Sequence, residues 1–244
     1  MMKVKPILNA NELAQEEALP DNTITNVSVD NLIFSMHEGK LKILLVKYNR
    51  GLAANKWGLI GHWVMMDENL EDAASRVVKQ TTGVDNLYLD QLGAFGQVDR
   101  YPTRRIITVA FYSLVRFDET RLAMGNNAYE IEWFDVYNLP QLVFDHAEII
   151  KSSLSNLKYK VHHEPIGFNL LPEKFTLLQL QEIYESILNS KLDKPNFRRK
   201  ILKMNLLINC NEKQKNVAHR AAALFCFDKV VYEQLKQYGF NFEF

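Results

Sequence analysis

Apolar and polar positions alternate with a strand-like period over Asn26 to Phe34 (NVSVDNLIF) and again over Leu41 to Tyr48 (LKILLVKY). His37-Glu38-Gly39-Lys40 lies between the two runs and supplies turn residues, so they are expected to pair as a hairpin. Strand-length apolar runs return at Leu87 to Val98 and at Arg105 to Phe117, with Tyr101-Pro102-Thr103 as the break between them. Tyr129 to Val136 adds another strand, which Leu139-Pro140 ends. Two stretches carry helical spacing instead. Leu70, Ala73, Ala74, Val77 and Val78 form one apolar stripe, and His146 to Tyr159 resumes the helical period after the strands. Strands around two helices predict an α/β/α sandwich with a mixed sheet, a domain over residues 1–160.

Beyond that point the pattern changes in kind. Val161 to Pro172 is irregular and carries two prolines and a glycine, which reads as a linker over residues 161–172 before a domain over 173–244. Thr176 then stands where an N-cap is needed, with Gln179 three residues on, the spacing of a capping box. Leu177, Leu180, Ile183, Tyr184, Ile187 and Leu188 give the next helix a buried face, and Asn189 and Ser190 break it. A second helix is expected from about Asp193-Lys194-Pro195, proline being tolerated in a first turn where no amide donor is missed. In it Phe197, Ile201 and Met204 fall on one face, and Asn196, Arg199, Lys200 and Lys203 on the neighbouring one. Leu206 to Ile208 and Ala221 to Phe227 read as two strands joined by a polar loop. Two helices and a hairpin in that order predict a winged helix-turn-helix.

Composition narrows the class. A chain of 244 residues with 47% hydrophobic and 24% charged side chains is globular rather than disordered. Neither a signal-peptide pattern nor an apolar run long enough for a membrane span appears, so a cytoplasmic protein with no membrane partner is expected. Cys210 and Cys226 read as buried thiols in a reducing compartment, with a redox pair as the alternative.

The net charge of zero hides an asymmetry. Lys191 to Arg220 holds nine basic residues against two acidic ones, a local +7 that the rest of the chain balances. A basic segment on an otherwise acidic chain is the footprint of a polyanion partner. The second helix has the chemistry of a recognition helix in the major groove of double-stranded DNA. Arginine pairs there with guanine, asparagine with adenine, and lysine supplies charge to phosphates. The residues expected to meet DNA are Thr176, Lys194, Asn196, Arg198, Arg199, Lys200 and Lys203, with Lys213, Lys215, His219 and Arg220 on the hairpin. RNA or an acidic protein is the alternative partner for the same surface.

One stretch carries a further signal. Gly61 to Val84 reads GHWVMMDENLEDAASRVVKQTTGV. It resembles the Nudix hydrolase motif, G-x5-E-x7-R-E-U-x-E-E-x-G-U, in which U is a bulky aliphatic residue. Glu68, Arg76, Gly83 and Val84 stand at motif positions. His62 replaces the first glycine, and Val77, Gln80 and Thr81 replace the three remaining glutamates. Carboxylates hold the divalent metal that such hydrolases use, and an aliphatic, an amide and a hydroxyl do not. The expectation is a Nudix fold without hydrolase activity and with no metal or other cofactor. A hydrolase using Asp67, Glu71 or Asp72 is the rival reading.

With the segments LLPEKFTLLQLQEIYESIL, LDKPNFRRKIL and HRAAALFCFD behind it, the whole chain resembles the Nudix-related transcriptional regulators. That resemblance implies a homodimeric repressor whose Nudix domain binds a small effector and whose winged helix binds operator DNA. One branch of the family senses ADP-ribose-type ligands and controls NAD metabolism; another senses pentose sugars and controls their catabolism. L-arabinose is the expected effector, because an uncharged sugar needs no metal. Arg104 and Arg105 could hold a phosphate and keep ADP-ribose as the alternative. Trp57, His62, Trp63, Glu68, Tyr101 and Arg104 are the expected effector contacts.

Overall fold

The computed structural model describes residues 26–117, 128–215, 220–238, 240 and 242. Strand β1 (Val27–His37) and strand β2 (Lys40–Tyr48) form the expected hairpin, in register from Ile33↔Leu44 to His37↔Lys40. Their two-residue turn, Glu38-Gly39, has φ of 51° and 71°, the left-handed pair that a type I′ turn requires. Strands β3 (Trp57–Gly58), β4 (Ile60–Trp63), β5 (Asp90–Phe95), β6 (Ile107–Val115) and β7 (Ala128–Asp135) complete one sheet, seven strands among the described residues. β1 runs parallel to β6 and antiparallel to β2, so the sheet is mixed as expected.

β1 divides its second edge between two partners. Ile33 to His37 pair with β2, whereas Ser28 to Asn31 pair with β4. Where β1 passes from one partner to the other, Asn31 donates from Nδ2 to the carbonyl of Ile60, its register partner on β4, at 3.0 Å. Strand alternation sends Val29 and Ile33 to one face and Leu32 and Phe34 to the other. Both faces are buried. Helix α1 (Leu70–Thr82) covers the first with Ala73, Ala74, Val77 and Val78, the stripe read from the sequence. It ends at Gly83, whose φ of 72° provides the left-handed cap.

Helix α2 (His146–His163) covers the second face with Ile149, Ile150, Leu157 and Val161. It continues past Tyr159, so the expected linker begins inside a helix. The segment after the helix is packed as well. A 3-10 turn over Ile166–Leu170 buries Ile166, Gly167 and Leu170, and Leu171 is buried behind it. The prolines mark a change of direction, and their apolar neighbours keep the segment in the core.

Helix α3 (Leu177–Leu188) and helix α4 (Lys194–Lys203) are the expected helix pair. β8 (Leu207–Lys213) and β9 (Ala223–Phe227) form the hairpin, and helix α5 (Lys229–Gln237) comes after it. Phe175 and Phe225 exchange backbone hydrogen bonds at 2.9 and 2.8 Å, which adds a one-residue third strand. The winged helix shares its core with the sandwich. Leu180, Ile183, Tyr184 and Phe197 belong to the same buried cluster as Leu32, Phe34 and Ile43. Two polar ties sit at its margin: the Leu41 amide donates to Ser186 Oγ at 2.6 Å, and the Tyr137 hydroxyl donates to the Ile187 carbonyl at 2.9 Å. No helix among the described residues is long and apolar enough to cross a membrane.

Candidate functional site

The motif loop is held by its arginine and first glutamate. Arg76 donates from Nε and Nη2 to the Glu68 carboxylate at 2.7 and 2.6 Å, and Nη2 also reaches the Trp63 carbonyl at 2.9 Å. The Met65 amide donates to the same carboxylate at 2.8 Å. These donors hold Glu68 below the usual carboxylate pKa, the Arg76 hydrogen bond contributing most. The three substituted motif positions do other work. Val77 and Thr81 are buried, and Gln80 accepts from Arg76 Nη1 at 3.2 Å. Among the described residues no three His, Cys, Asp or Glu side chains are grouped to hold a metal ion.

A cavity of about 210 Å³ opens at the lower half of β1. Asp30, Tyr48, Arg50, Gly61, Arg100 and His146 line it, together with His62, Trp63, Tyr101 and Phe144. Its base is an ionic cluster. Arg100 grips Asp145 through Nε and Nη2 at 2.8 Å each and reaches Asp30 at 3.3 Å. His146 Nδ1 accepts the Leu59 amide at 2.9 Å, so the ring's proton is on Nε2, facing Asp30 Oδ1 at 3.7 Å. Burial lowers the His146 pKa, and Arg100 adds to the shift against the opposing pull of Asp30 and Asp145. A side chain at Gly61 would collide with the Asp30 carboxylate, and one at Gly58 would lie 2.7 Å from His146 Nδ1. Both positions therefore need glycine.

The aromatic wall is made by Tyr101 and Phe144, whose ring centroids are 4.7 Å apart. Burial and, after it, the charges of Arg76 and Arg50 lower the His62 pKa, and its buried Nδ1 has no hydrogen-bond partner among the described residues. The cavity thus offers aromatic faces, an imidazole and the Arg50 guanidinium above a base in which Arg100 is paired with two carboxylates.

Three of the expected effector residues meet here: His62, Trp63 and Tyr101. Three do not. Trp57 packs edge-on against Phe134 at 4.8 Å, below the Lys47 amine. Glu68 is occupied by Arg76, and Arg104 is exposed outside the cavity. Asp30, Tyr48, Arg50, Arg100, Phe144 and His146 join the site without having been expected from the sequence. For Asp30 one signal exists, an acidic residue inside the apolar run NVSVDNLIF. The others come from separate elements with no local motif.

The second surface is on α4. Asp193 caps it by accepting the Asn196 amide at 3.0 Å, and Phe197 and Ile201 anchor it in the core. Lys194, Asn196, Arg198, Arg199, Lys200 and Lys203 are all exposed. Arg199 donates to Asn196 Oδ1 at 2.6 Å, which aligns the two side chains best suited to reading bases. The turn before α4 is fixed by Gln181 Nε2 donating to the Leu192 carbonyl at 3.1 Å and by Lys191 pairing with Glu185 at 2.6 Å. Lys213, Lys215 and Arg220 are exposed on the wing, and His219 lies outside the described residues.

Thr176 is a correction. It is 2% exposed, accepts the Gln179 amide at 3.2 Å and forms the predicted capping box, so it supports the helix pair without facing DNA.

A Nudix α/β sandwich joined to a winged helix-turn-helix defines the class as a DNA-binding regulator with a Nudix-type domain. Residues 25–153 match the family described as NUDIX domain, and residues 167–227 the one described as NrtR DNA-binding winged helix domain. Over 220 residues, 88% of this chain and 85% of the relative, the sequence is 30% identical to the ADPR responsive transcriptional repressor NtrR of Acinetobacter baylyi. The chain belongs to the NrtR family of transcriptional regulators. The crystal structure of Shewanella oneidensis NrtR complexed with a 27mer DNA superposes with a TM-score of 0.70 at 28% identity, covering 82% of this chain and 93% of that one. The NUDIX domain of Shewanella oneidensis NrtR complexed with ADP ribose gives 0.50 at 26% identity, covering 62% and 98%.

Proposed function

We propose that this chain is a repressor whose Nudix-type domain binds ADP-ribose and whose winged helix then releases operator DNA, in the control of NAD metabolism. The observation that carries the reading is the match to an ADPR responsive repressor across both domains at once. ADP-ribose replaces the expected L-arabinose, because the related NUDIX domain with a bound small molecule holds ADP ribose. The chemistry agrees. The cavity brings aromatic rings and the Arg50 guanidinium together, and at about 210 Å³ it takes one end of such a ligand. Typical pockets for whole ligands are ~300–1,000 Å³. Hydrolysis is not part of the proposal, because Val77, Gln80 and Thr81 stand where the metal-binding carboxylates belong.

The repressor acts as a homodimer, with the two α4 helices meeting major grooves about 34–36 Å apart, or a multiple of that. Fluorescence anisotropy with duplex DNA from upstream of its own and neighbouring genes tests the reading. ADP-ribose should weaken binding about 5- to 150-fold, and L-arabinose and D-xylose should leave it unchanged. Release by L-arabinose alone, or steady loss of ADP-ribose with appearance of AMP in magnesium, would overturn it.

A further inference from the structure

Two thiols on the wing have no part in the effector cavity or in the DNA surface. Cys210 lies on β8 and Cys226 on β9, and their Sγ atoms are 2.8 Å apart. The register explains the meeting. Ile208 is opposite Cys226, and Cys210 is two residues further along the same face. The register shift between Asn209 and Lys213 then brings the diagonal pair together, with Asn211 in the left-handed region at φ 54°. Neither thiol is sealed in the core, contrary to the expectation from sequence. Both are half-buried, and Ile208 beside them is 51% exposed.

We propose that Cys210 and Cys226 are a redox pair that a peroxide converts to an intramolecular disulfide, pinning the two strands of the wing. A disulfide needs its sulfurs about 2 Å apart, so rotation of the two side chains closes the remaining gap with no change in strand register. The Cys210 sulfur beside it and, second, burial push the Cys226 thiol up to about 11. A thiol held protonated is the weaker nucleophile, so the first attack is assigned to Cys210. Its thiolate attacks one peroxide oxygen, forming a sulfenic acid and releasing the alcohol, or water from hydrogen peroxide. Cys226 then attacks the Cys210 sulfur and expels water. Two thiols have lost two electrons and two protons, and the peroxide bond has been reduced. Glutathione or dithiothreitol reverses the step by thiol exchange.

Lys213, Lys215 and Arg220 lie in the loop the bond closes, on the side away from the core. The bond restrains the unfolded chain across a sixteen-residue separation and leaves the folded wing in place. Oxidation therefore stabilises the wing and preserves DNA binding.

The test treats the purified full chain with equimolar hydrogen peroxide and reads intact mass, free thiols, melting temperature and DNA anisotropy. The expected result is a monomer mass lower by two hydrogens, loss of both thiols, a higher melting temperature and unchanged DNA affinity, all reversed by dithiothreitol. C226S should instead yield a sulfenic acid at Cys210 that dimedone traps. Two surviving thiols under conditions that oxidise C226S, or crosslinks only between chains, would overturn the pairing. A disulfide that abolishes DNA binding would overturn the claim that the wing keeps its shape. Mass and thiol readouts stand apart from the regulator reading, so failure of either is seen separately.

Discussion

Replacing Arg100 with methionine keeps the length of the side chain and removes the cation that the cavity base is built on. Arg100 is 4% exposed in its side chain, Asp30 7% and Asp145 17%. Losing one partner of a buried ion pair leaves the other charge unpaired, at about 3–5 kcal/mol. Asp145 retains some solvent, which places the expected loss at the lower end, about 3 kcal/mol. At roughly 2–4 °C per kcal/mol for a chain of this size, the melting temperature should fall by roughly 6–12 °C. Urea unfolding at pH 7 measures the loss directly. Adding D30N and D145N to the variant should recover more than half of it, because neutral amides need no counter-charge. A loss below about 1 kcal/mol, the range of an exposed pair, would show that the cluster is solvated and refute it as a buried anchor.

Three further outcomes rest on particular side chains. His146 is buried with its pKa lowered, so the unfolded state takes up its proton first and stability falls as pH drops below about 6.5, by up to ~1.4 kcal/mol per unit; His146→Gln should flatten that slope in pH-dependent urea melts, and an unchanged slope would assign it elsewhere. Thr176→Ala should cost about 1 kcal/mol through loss of the capping box, read by chemical unfolding, and no change would mean the cap contributes nothing. Arg199→Ala should weaken operator binding by about 1–3 kcal/mol and relax preference at one base pair, whereas Lys213→Ala should weaken all sequences alike and lower the salt slope by about one unit. Unchanged affinity in both variants would remove α4 and the wing from the DNA surface.

Local chemistry made the fold legible. The two-residue turn at Glu38-Gly39, the capping box at Thr176 and the proline in the first turn of α4 are all set by neighbours in the chain, and each appears as the sequence implies. The α4 surface was legible for the same reason, since a helix converts spacing directly into faces. The cavity at the lower half of β1 was not. Asp30 comes from β1, Tyr48 from the end of β2, Arg100 from the loop before β6 and His146 from the start of α2, and only the tertiary fold brings them together. Glu68 and Trp57 do not line it, because motif position and aromatic character say nothing about which way a side chain faces. The linker misled because Val161 to Pro172 contains apolar residues that are buried, the Ile166–Leu170 turn packing against α2, α3 and β6.

In the proposed regulator one small molecule on the Nudix-type domain sets the affinity of the winged helix for DNA. Calorimetric titration of ADP-ribose into the free protein, and into protein saturated with operator duplex, tests it most directly. Linkage requires the DNA-bound form to bind ADP-ribose more weakly, by the same factor by which ADP-ribose weakens DNA binding. Agreement of the two factors is the predicted result. Equal ADP-ribose affinity in both forms, or no binding to either, would contradict the account.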